Sequence, residues 1–87
     1  MQDSKTKIIR RLKIVEGQVR GLQRMLEENA YCIDIITQTS AIKQALSNVE
    51  DTLLENHLQH CVVKQIKAGD TQKSVDEVLK VYKLKRK

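Results

Sequence analysis

The chain contains no proline, phenylalanine or tryptophan, only three glycines, and two aromatic residues, Tyr31 and Tyr82. The scarcity of glycine and proline excludes collagen-like and proline-rich disordered chains and disfavours β-sandwiches, which need frequent turn residues. No run approaches the ~18 apolar residues of a membrane span, and no apolar segment near the start is typical of an export signal. Two cysteines without such a signal indicate a reducing compartment, where thiols serve as metal ligands or redox sensors. We therefore expect a cytoplasmic protein with no membrane partner.

The chain also has few residues and small apolar side chains from which to build a hydrophobic core. It has 87 residues, of which 40% are hydrophobic, and a domain of this size is marginally stable when it folds alone. Without large aromatic side chains, each buried position contributes less apolar area. We therefore expect a second copy of the chain to supply the missing core.

Charge is unevenly distributed along the chain, although the net charge is only +5. Residues 1–25 carry seven basic and two acidic side chains, residues 26–62 carry one basic and six acidic ones, and residues 63–87 carry eight basic and three acidic ones. Basic segments of this strength are typical of proteins that bind nucleic acid. A well-solvated lysine surface is the alternative that charge alone leaves open.

Apolar residues recur in steps of four and three along two stretches, which predicts two helices with a coiled-coil-like apolar face. The first helix is expected over about 5–28 and the second over about 31–67, the latter being about 54 Å long at 1.5 Å per residue. Gly17 and Gly21 share one face of the first helix, where another backbone or a phosphate could approach. The two stripes are Ile8, Leu12, Val15, Val19, Leu22, Leu26 and Ile35, Thr39, Ile42, Leu46, Val49, Leu53.

A short third helix is expected over about 72–84. Gly69 suits the left-handed position that ends a helix, and Asp70 can cap the next one. Ser74 and Glu77 have the spacing of a capping box. No strand pattern competes, so the sequence predicts an all-α fold.

Three residues have side chains that ligate soft metal ions: Cys32, His57 and Cys61. His57 and Cys61 are four apart and share a helix face, whereas Cys32 would be about 43 Å from Cys61 on one continuous helix. If two such helices pair antiparallel about a two-fold axis, placing Cys32 opposite position 59 puts the axis between Ala45 and Leu46. This arrangement predicts two identical sites, each with Cys32 from one chain and the other two ligands from its partner.

Two thiolates and one imidazole without a carboxylate suit Cu(I) best, because Zn²⁺ takes a fourth ligand and Ni²⁺ prefers more nitrogen. His60 could in principle be a fourth ligand. It lies about 100° around the helix from Cys61, so we interpret it as a polar-face or interface residue. Because thiols must lose their protons to ligate, metal affinity should rise with pH.

Several segments resemble the CsoR/RcnR family of bacterial metal-sensing repressors. The run RLKIVEGQVRGL at 11–22, followed by RMLEE at 24–28, is similar to the family's first helix, and 31–38 (YCIDIITQ) and 54–62 (LENHLQHCV) are similar to its second. The resemblance covers nearly the whole chain. It is closest to the copper-responsive branch, whose Cys–His–Cys ligand pattern matches this chain in type and spacing.

The resemblance implies a repressor rather than an enzyme. Without metal the oligomer is expected to bind operator DNA near copper-efflux genes, and Cu(I) at Cys32, His57 and Cys61 lowers its affinity for DNA. Tyr31 and Glu77 resemble the outer-shell pair that couples the histidine's distal nitrogen to DNA affinity. DNA contacts are implied for Arg11, Lys13, Gln18 and Arg20, with Lys43 a further candidate, while Asn48 stands at the family's second-helix arginine position.

The expected architecture is a single metal-sensing, DNA-binding domain over residues 1–87. Its three helices (long, very long and short) are expected to form an antiparallel four-helix bundle in a homodimer, and two dimers a homotetramer. Dimer and tetramer both remain open.

Three other functions stay open at this stage. Cys32 and Cys61 of neighbouring chains could form a disulfide or persulfide bridge, which would make the chain a thiol redox sensor. A sensor of another metal, such as nickel or zinc, is the second alternative, and a purely structural helical oligomer is the third. An enzyme is disfavoured because no nucleophile–base set stands in a recognisable motif, and no small-molecule substrate is expected.

Overall fold

The computed structural model describes the backbone of residues 2–86 and the side chains of residues 4–86, and within these bounds it is entirely helical. Helix α1 spans Gln2–Glu27 and helix α2 spans Cys32–Asn56. A six-residue π-helical segment, His57–Val62, follows α2 directly and leads into the short helix α3, Val63–Lys67. Helix α4 spans Thr71–Arg86. Because α2, the π segment and α3 follow one another without a break, the all-α fold with three successive helices is confirmed.

None of the helices in the described part of the chain combines the length and the apolar character that a membrane span requires.

The turn after α1 depends on Asn29, which has a left-handed backbone conformation with φ 58°. The amide of Ala30 donates to the carbonyl of Met25 at 2.9 Å, and the amide of Asn29 donates to that of Leu26 at 3.2 Å. This pair of bonds is the Schellman motif, in which asparagine is the common substitute for glycine. It satisfies carbonyls that the end of a helix would otherwise leave unpaired.

The turn after α3 repeats the same motif with glycine in the left-handed position. Gly69 has φ 89°, and the amide of Asp70 donates to the carbonyl of Gln65 at 2.7 Å. The carbonyl of Asp70 in turn accepts the amide of Ser74 at 3.1 Å. The role predicted for Gly69 is therefore confirmed, and Asp70 lies directly before the first residue of α4.

The capping box predicted at Ser74 is wrong. Helix α4 begins at Thr71, so Ser74 lies inside its first turn rather than before it. The Ser74 hydroxyl instead makes a short hydrogen bond to the side-chain oxygen of Gln65. The side chain that the local pattern assigns to a cap is therefore bonded to a residue of α3 instead.

Contacts divide the chain into two compact units, one up to Leu53 and one from Leu54 onward. In the first unit α1 and α2 run antiparallel, because Arg11 near the start of α1 donates to the Thr52 hydroxyl near the end of α2 at 3.4 Å. Only alternate members of the two apolar stripes are buried there. The buried apolar residues are Ile8, Val15, Ile42 and Val49.

Five other members of the stripes are left exposed by the single chain, while Leu22, Ile35 and Thr39 are half-buried. Leu12 and Leu46 are each 42% exposed, Leu53 is 43% exposed, and Leu26 is 62% exposed. The buried members are seven residues apart within each helix, so one chain covers one edge of each stripe and leaves the other edge open. The apolar area that the composition requires is therefore present, but it is not buried within one chain.

The second unit contains the last residues of α2, the π-helical segment, α3 and α4. Helices α3 and α4 pack against each other. Helix α4 is described over its whole length, and Ser74 is its one buried residue. Val78 and Val81 are half-buried, whereas Leu79 and Tyr82 are 49% and 58% exposed. The apolar contact that holds α4 is therefore thin.

Replacing glycine by alanine should have opposite effects at two positions. Gly69→Ala should lower the free energy of unfolding by about 1–2 kcal/mol because alanine is strained at positive φ. Gly17→Ala should raise it by up to about 1 kcal/mol, since Gly17 lies inside α1 and alanine is the better helix former. Nothing lies within 4 Å of the added Cβ at Gly17. Urea unfolding at matched protein concentration measures both, and effects of the same sign would contradict the turn assignment.

Candidate metal and nucleic-acid sites

Cys32 stands at the first position of α2, with its thiol free and its residue exposed. The helix starts there because the carbonyl of Tyr31 accepts the amides of Asp34 and Ile35 at 3.0 and 3.2 Å. The Tyr31 side chain itself is 71% exposed. Both residues are thus presented to the surroundings at the start of the long second helix.

His57 and Cys61 both lie in the π-helical segment, of which His57 is the first residue. Both are half-buried, and the Cys61 thiol is free. A π turn holds one residue more than an α turn, and such turns occur mostly at functional sites. His60, in the same segment, is exposed, in keeping with the polar-face interpretation.

Within residues 2–86 of one chain, no three His, Cys, Asp or Glu side chains come together in a way that could hold a metal ion. Of the three predicted ligands, Cys32 belongs to the unit up to Leu53, and His57 and Cys61 belong to the unit from Leu54 onward.

Glu77 of α4 reaches the imidazole of His57. Its Oε2 lies 3.5 Å from His57 Nε2, and the two side chains are 41% and 35% exposed. The separation is within ion-pair range but longer than a well-formed hydrogen bond. A carboxylate at one ring nitrogen favours the tautomer with its proton there. In that tautomer the lone pair of His57 Nδ1 is free.

Asn56, the last residue of α2, carries an unpaired amide beside this site. The residue is 9% exposed, and its Nδ2 is buried without a hydrogen-bond partner among the described residues. A buried amide group that donates no hydrogen bond is costly. The donor is thus available to a group that the single chain does not contain.

The chemistry of the donor set fits a soft ion. Both cysteines are free, so both can ligate as thiolates. Together with one imidazole they form a low-coordinate set of two sulfurs and one nitrogen, which suits Cu(I) by ligand softness. The residues present therefore fit copper as the ion that they would hold.

A groove between α1 and α2 contains two of the predicted DNA contacts, Arg11 and Gln18. It is lined on the α2 side by Asn48 among others, and the Asn48 side-chain oxygen accepts a hydrogen bond from the Gln44 amide at 3.0 Å. The side-chain oxygen of Gln18 is buried without a partner among the described residues. The groove thus combines a cation and carboxamides, which are groups that bind phosphates and base edges, with the carboxylate of Asp51.

A second groove lies along α1 beside Gly17. Arg20 and Arg24 line it together with Gln23 and Glu27, and Arg20 pairs with Glu16 at 3.2 Å in an exposed ion pair. An exposed pair of this kind is weak, so Arg20 can exchange Glu16 for another anion. Lys13 and Lys43, the other two predicted contacts, are exposed.

Sequence reasoning missed Arg24 and Thr52 as members of these surfaces. Arg24 follows Gly17 by seven residues and Gly21 by three, a spacing that places all three on one helix face. That spacing was a usable signal. No local signal marked Thr52, because its contact with Arg11 spans 41 residues.

The sequence profile of the family described as metal-sensitive transcriptional repressors matches residues 4–83. The chain therefore belongs to the metal-sensitive transcriptional repressor family, and the resemblance to the CsoR/RcnR repressors is confirmed. The family regulates transcription, which implies DNA binding and agrees with the expectation of a non-enzymatic protein.

The most similar proteins include copper sensors. The chain is 49% identical over 79 residues to the copper-sensing transcriptional repressor CsoR of Bacillus subtilis (strain 168), covering 91% of this chain and 78% of that protein. It matches the crystal structure of the copper-sensing repressor CsoR with Cu(I) from Geobacillus thermodenitrificans NG80-2 with a TM-score of 0.91 and 47% identity, over 100% of this chain and 91% of that one. The similarity to the copper-responsive branch is thus confirmed.

A sensor of another metal has a similar fold. The nickel-responsive transcriptional regulator InrS matches with a TM-score of 0.76 and 27% identity, over 90% of this chain and 88% of that one. A similar fold therefore occurs in a regulator that responds to a different metal, and the fold alone does not identify the metal.

The geometry at Glu77 predicts which tautomer His57 adopts. In the metal-free protein, neutral His57 should carry its proton on Nε2, because that atom faces the carboxylate. Long-range ¹H–¹⁵N NMR correlations of the imidazole measure the tautomer. Glu77→Gln should weaken the preference, while exposed His60 in the same spectrum serves as the control. A dominant Nδ1–H form of His57 would contradict the assignment of Nδ1 as the ligating atom.

Proposed function

We propose that this protein is a cytoplasmic, copper(I)-responsive transcriptional repressor. The metal-free form binds operator DNA, and Cu(I) binding lowers its affinity for that DNA, so that copper-efflux genes are transcribed. The observation that carries the proposal is the donor set of two free thiols and one imidazole. It occurs in a chain 49% identical to a copper-sensing repressor.

Each copper site is shared between two protomers. Cys32 comes from one protomer, and His57 and Cys61 come from its partner. Two observations support this arrangement: one chain brings no three ligands together among its described residues, and it leaves an apolar edge uncovered. Antiparallel pairing of the second helices about an axis between Ala45 and Leu46 would bring the three ligands together and cover the apolar edge.

The ligand residues act by proton loss and orientation. Bound Cu(I) supplies a soft positive centre that stabilises two thiolates. Cys32 and Cys61 give up their protons, while His57 offers Nδ1 and keeps its Nε2 proton against Glu77. Tyr31, next to Cys32, is the second outer-shell residue. Copper and DNA binding are reciprocally linked, so DNA weakens copper binding by the factor by which copper weakens DNA binding.

The DNA-binding surface comprises basic and polar residues of the first two helices, with a strong electrostatic component. The residues assigned to it are Arg11, Lys13, Gln18, Arg20 and Lys43. The exposure of the four basic residues, and the two grooves that Arg11, Gln18 and Arg20 line, support the assignment. Because phosphate contacts dominate such surfaces, the affinity for DNA should fall steeply with salt.

The working unit is a homodimer in which two α1–α2 hairpins form an antiparallel four-helix bundle, and two dimers form a homotetramer. The uncovered Leu12, Leu46 and Leu53, each 42–43% exposed, support a second copy as the cover. Residues 1–87 act together as one metal-sensing, DNA-binding domain.

Anaerobic titration with Cu(I) should release the wild-type protein from operator DNA, weakening binding by roughly 5- to 150-fold. His57→Ala should lower copper affinity by more than the roughly 10- to 100-fold that outer-shell changes cause, and should abolish release. Fluorescence anisotropy of labelled DNA follows release, and a thiolate-to-copper absorption band follows binding.

Arg11→Ala is the matched control for this experiment. It should leave copper affinity unchanged but weaken DNA binding and reduce the salt slope by about one. If His57→Ala kept copper-triggered release, or if oxidants or Ni²⁺ but not Cu(I) released DNA, a thiol redox sensor or a sensor of another metal would replace the copper sensor.

Mixed dimers test whether the site is shared. Homodimers of Cys32→Ala and of His57→Ala each lack a complete site. A mixed dimer, isolated through two different affinity tags, should regain a single tight copper site because the intact ligands of the two chains then complement one another. Absorption titration and bound-copper analysis measure this.

The control is a mixed dimer of Cys32→Ala with wild type, which should also hold a single tight site. Absence of tight copper binding in the Cys32→Ala and His57→Ala mixture would mean that all three ligands act within one chain.

A further inference from the structure

Helix α4 touches the preceding helical segment at two polar contacts. The Ser74 hydroxyl donates a short hydrogen bond to Gln65 Oε1, and Glu77 Oε2 lies 3.5 Å from His57 Nε2. Ser74 and Glu77 are three residues apart and share one face of α4. On the other side, Cys61 lies midway in sequence between His57 and Gln65. The two contacts therefore bracket a residue assigned to the copper site.

The two contacts differ in how readily water can replace them. Ser74 is 2% exposed and Gln65 is half-buried, so breaking their hydrogen bond would leave polar atoms without water. Glu77 and His57 are 41% and 35% exposed, so either group can exchange its partner for water at little cost. One contact is thus fixed and the other exchangeable.

The remaining attachments of α4 do little to fix its orientation. Only the three residues 68–70 separate it from α3, which keeps it close but does not set its rotation. Its apolar contact is thin, since Val75 and Leu79 are 46% and 49% exposed. The hydrogen bond of Ser74, the buried residue of α4, to Gln65 is therefore the buried polar contact nearest to Glu77 on this helix.

We propose that Ser74 and Gln65 are positioning residues of the sensor. Their hydrogen bond anchors α4 so that Glu77 contacts the His57 imidazole, and a change at His57 therefore moves α4. The inference rests on the proposed copper function. It assigns to neither residue any contact with metal or DNA. Their removal should therefore uncouple copper binding from DNA release while leaving each binding reaction in place.

Ser74→Ala in the 87-residue chain tests whether this hydrogen bond positions Glu77. Copper affinity and metal-free DNA affinity should stay within about twofold to threefold of wild type, while the copper-induced loss of DNA affinity should shrink by about fivefold, the effect of one hydrogen bond. Amide hydrogen exchange in residues 71–80 of the metal-free protein should accelerate. Ser40→Ala, at an exposed serine of α2, is the matched control and should change none of these quantities.

Variants of Gln65 separate positioning from general stability. Gln65→Met removes the acceptor and should reproduce Ser74→Ala, and the double variant should be no worse than either single one because both remove the same bond. Gln65→Glu keeps an acceptor oxygen and should retain the coupling. These variants also keep the test decisive if Ser74→Ala folds poorly.

Each outcome decides between the inferences. If Cu(I) releases DNA from wild type, and equally well from Ser74→Ala and Gln65→Met, the positioning role is wrong and the proposed function stands. If these variants lose thermal stability, copper affinity and DNA affinity together, the hydrogen bond is merely structural and the positioning role is wrong. If wild type keeps its DNA affinity in Cu(I), both the proposed function and the positioning role are wrong.

Discussion

Incomplete burial of the apolar stripes is the constraint on which the rest of the structure depends. In each long helix the stripe is covered along one edge only, with Ile42 and Val49 buried at 6% exposure while Leu46 and Leu53 remain open. Aliphatic residues of this kind contribute about 25 cal/mol per Å² of buried apolar area, so an uncovered edge is a strong reason to associate. Cys32 stands at the start of α2, and Cys61 lies in the π-helical segment that follows it. In the proposed dimer, an antiparallel copy would both cover the open edge and complete the donor set.

The change from α to π geometry at His57 coincides with the part of the second helix that carries two of the proposed metal ligands. The π-helical segment spans His57–Val62 and contains both the imidazole and the second thiol. Helix α4 approaches this region with Glu77 on the imidazole and Ser74 anchored by Gln65. Sensing can therefore work through a short chain of contacts, from a ligand to a carboxylate to a helix that is fixed at one point. In this chain of contacts the exposed His57–Glu77 pair can exchange its partners, whereas the buried Ser74–Gln65 hydrogen bond is fixed.

Much of this could be predicted from the sequence, because the signals are local. The alternating steps of four and three predict the long helices, and Gly69 predicts the turn before α4. The division of each stripe into buried and open edges could not be predicted, since it depends on which side of α2 the first helix covers. The capping box at Ser74 was wrong for the same reason: a partner nine residues away in sequence took its hydroxyl. No proline or glycine marks the π-helical segment, so it had no signal.

The donor residues of the candidate site could be found from residue type and spacing, but their outer partners came only from the family resemblance. Chemical cross-linking tests the shared site most directly. Metal-free protein assembled from equal amounts of ¹⁴N- and ¹⁵N-labelled chains would be treated with a short bis-maleimide, and the peptide pair joining Cys32 to Cys61 analysed by mass spectrometry. The account predicts that mixed-label pairs form about half of the linked product, as random pairing of two chains gives. Linked pairs carrying only a single label would contradict it.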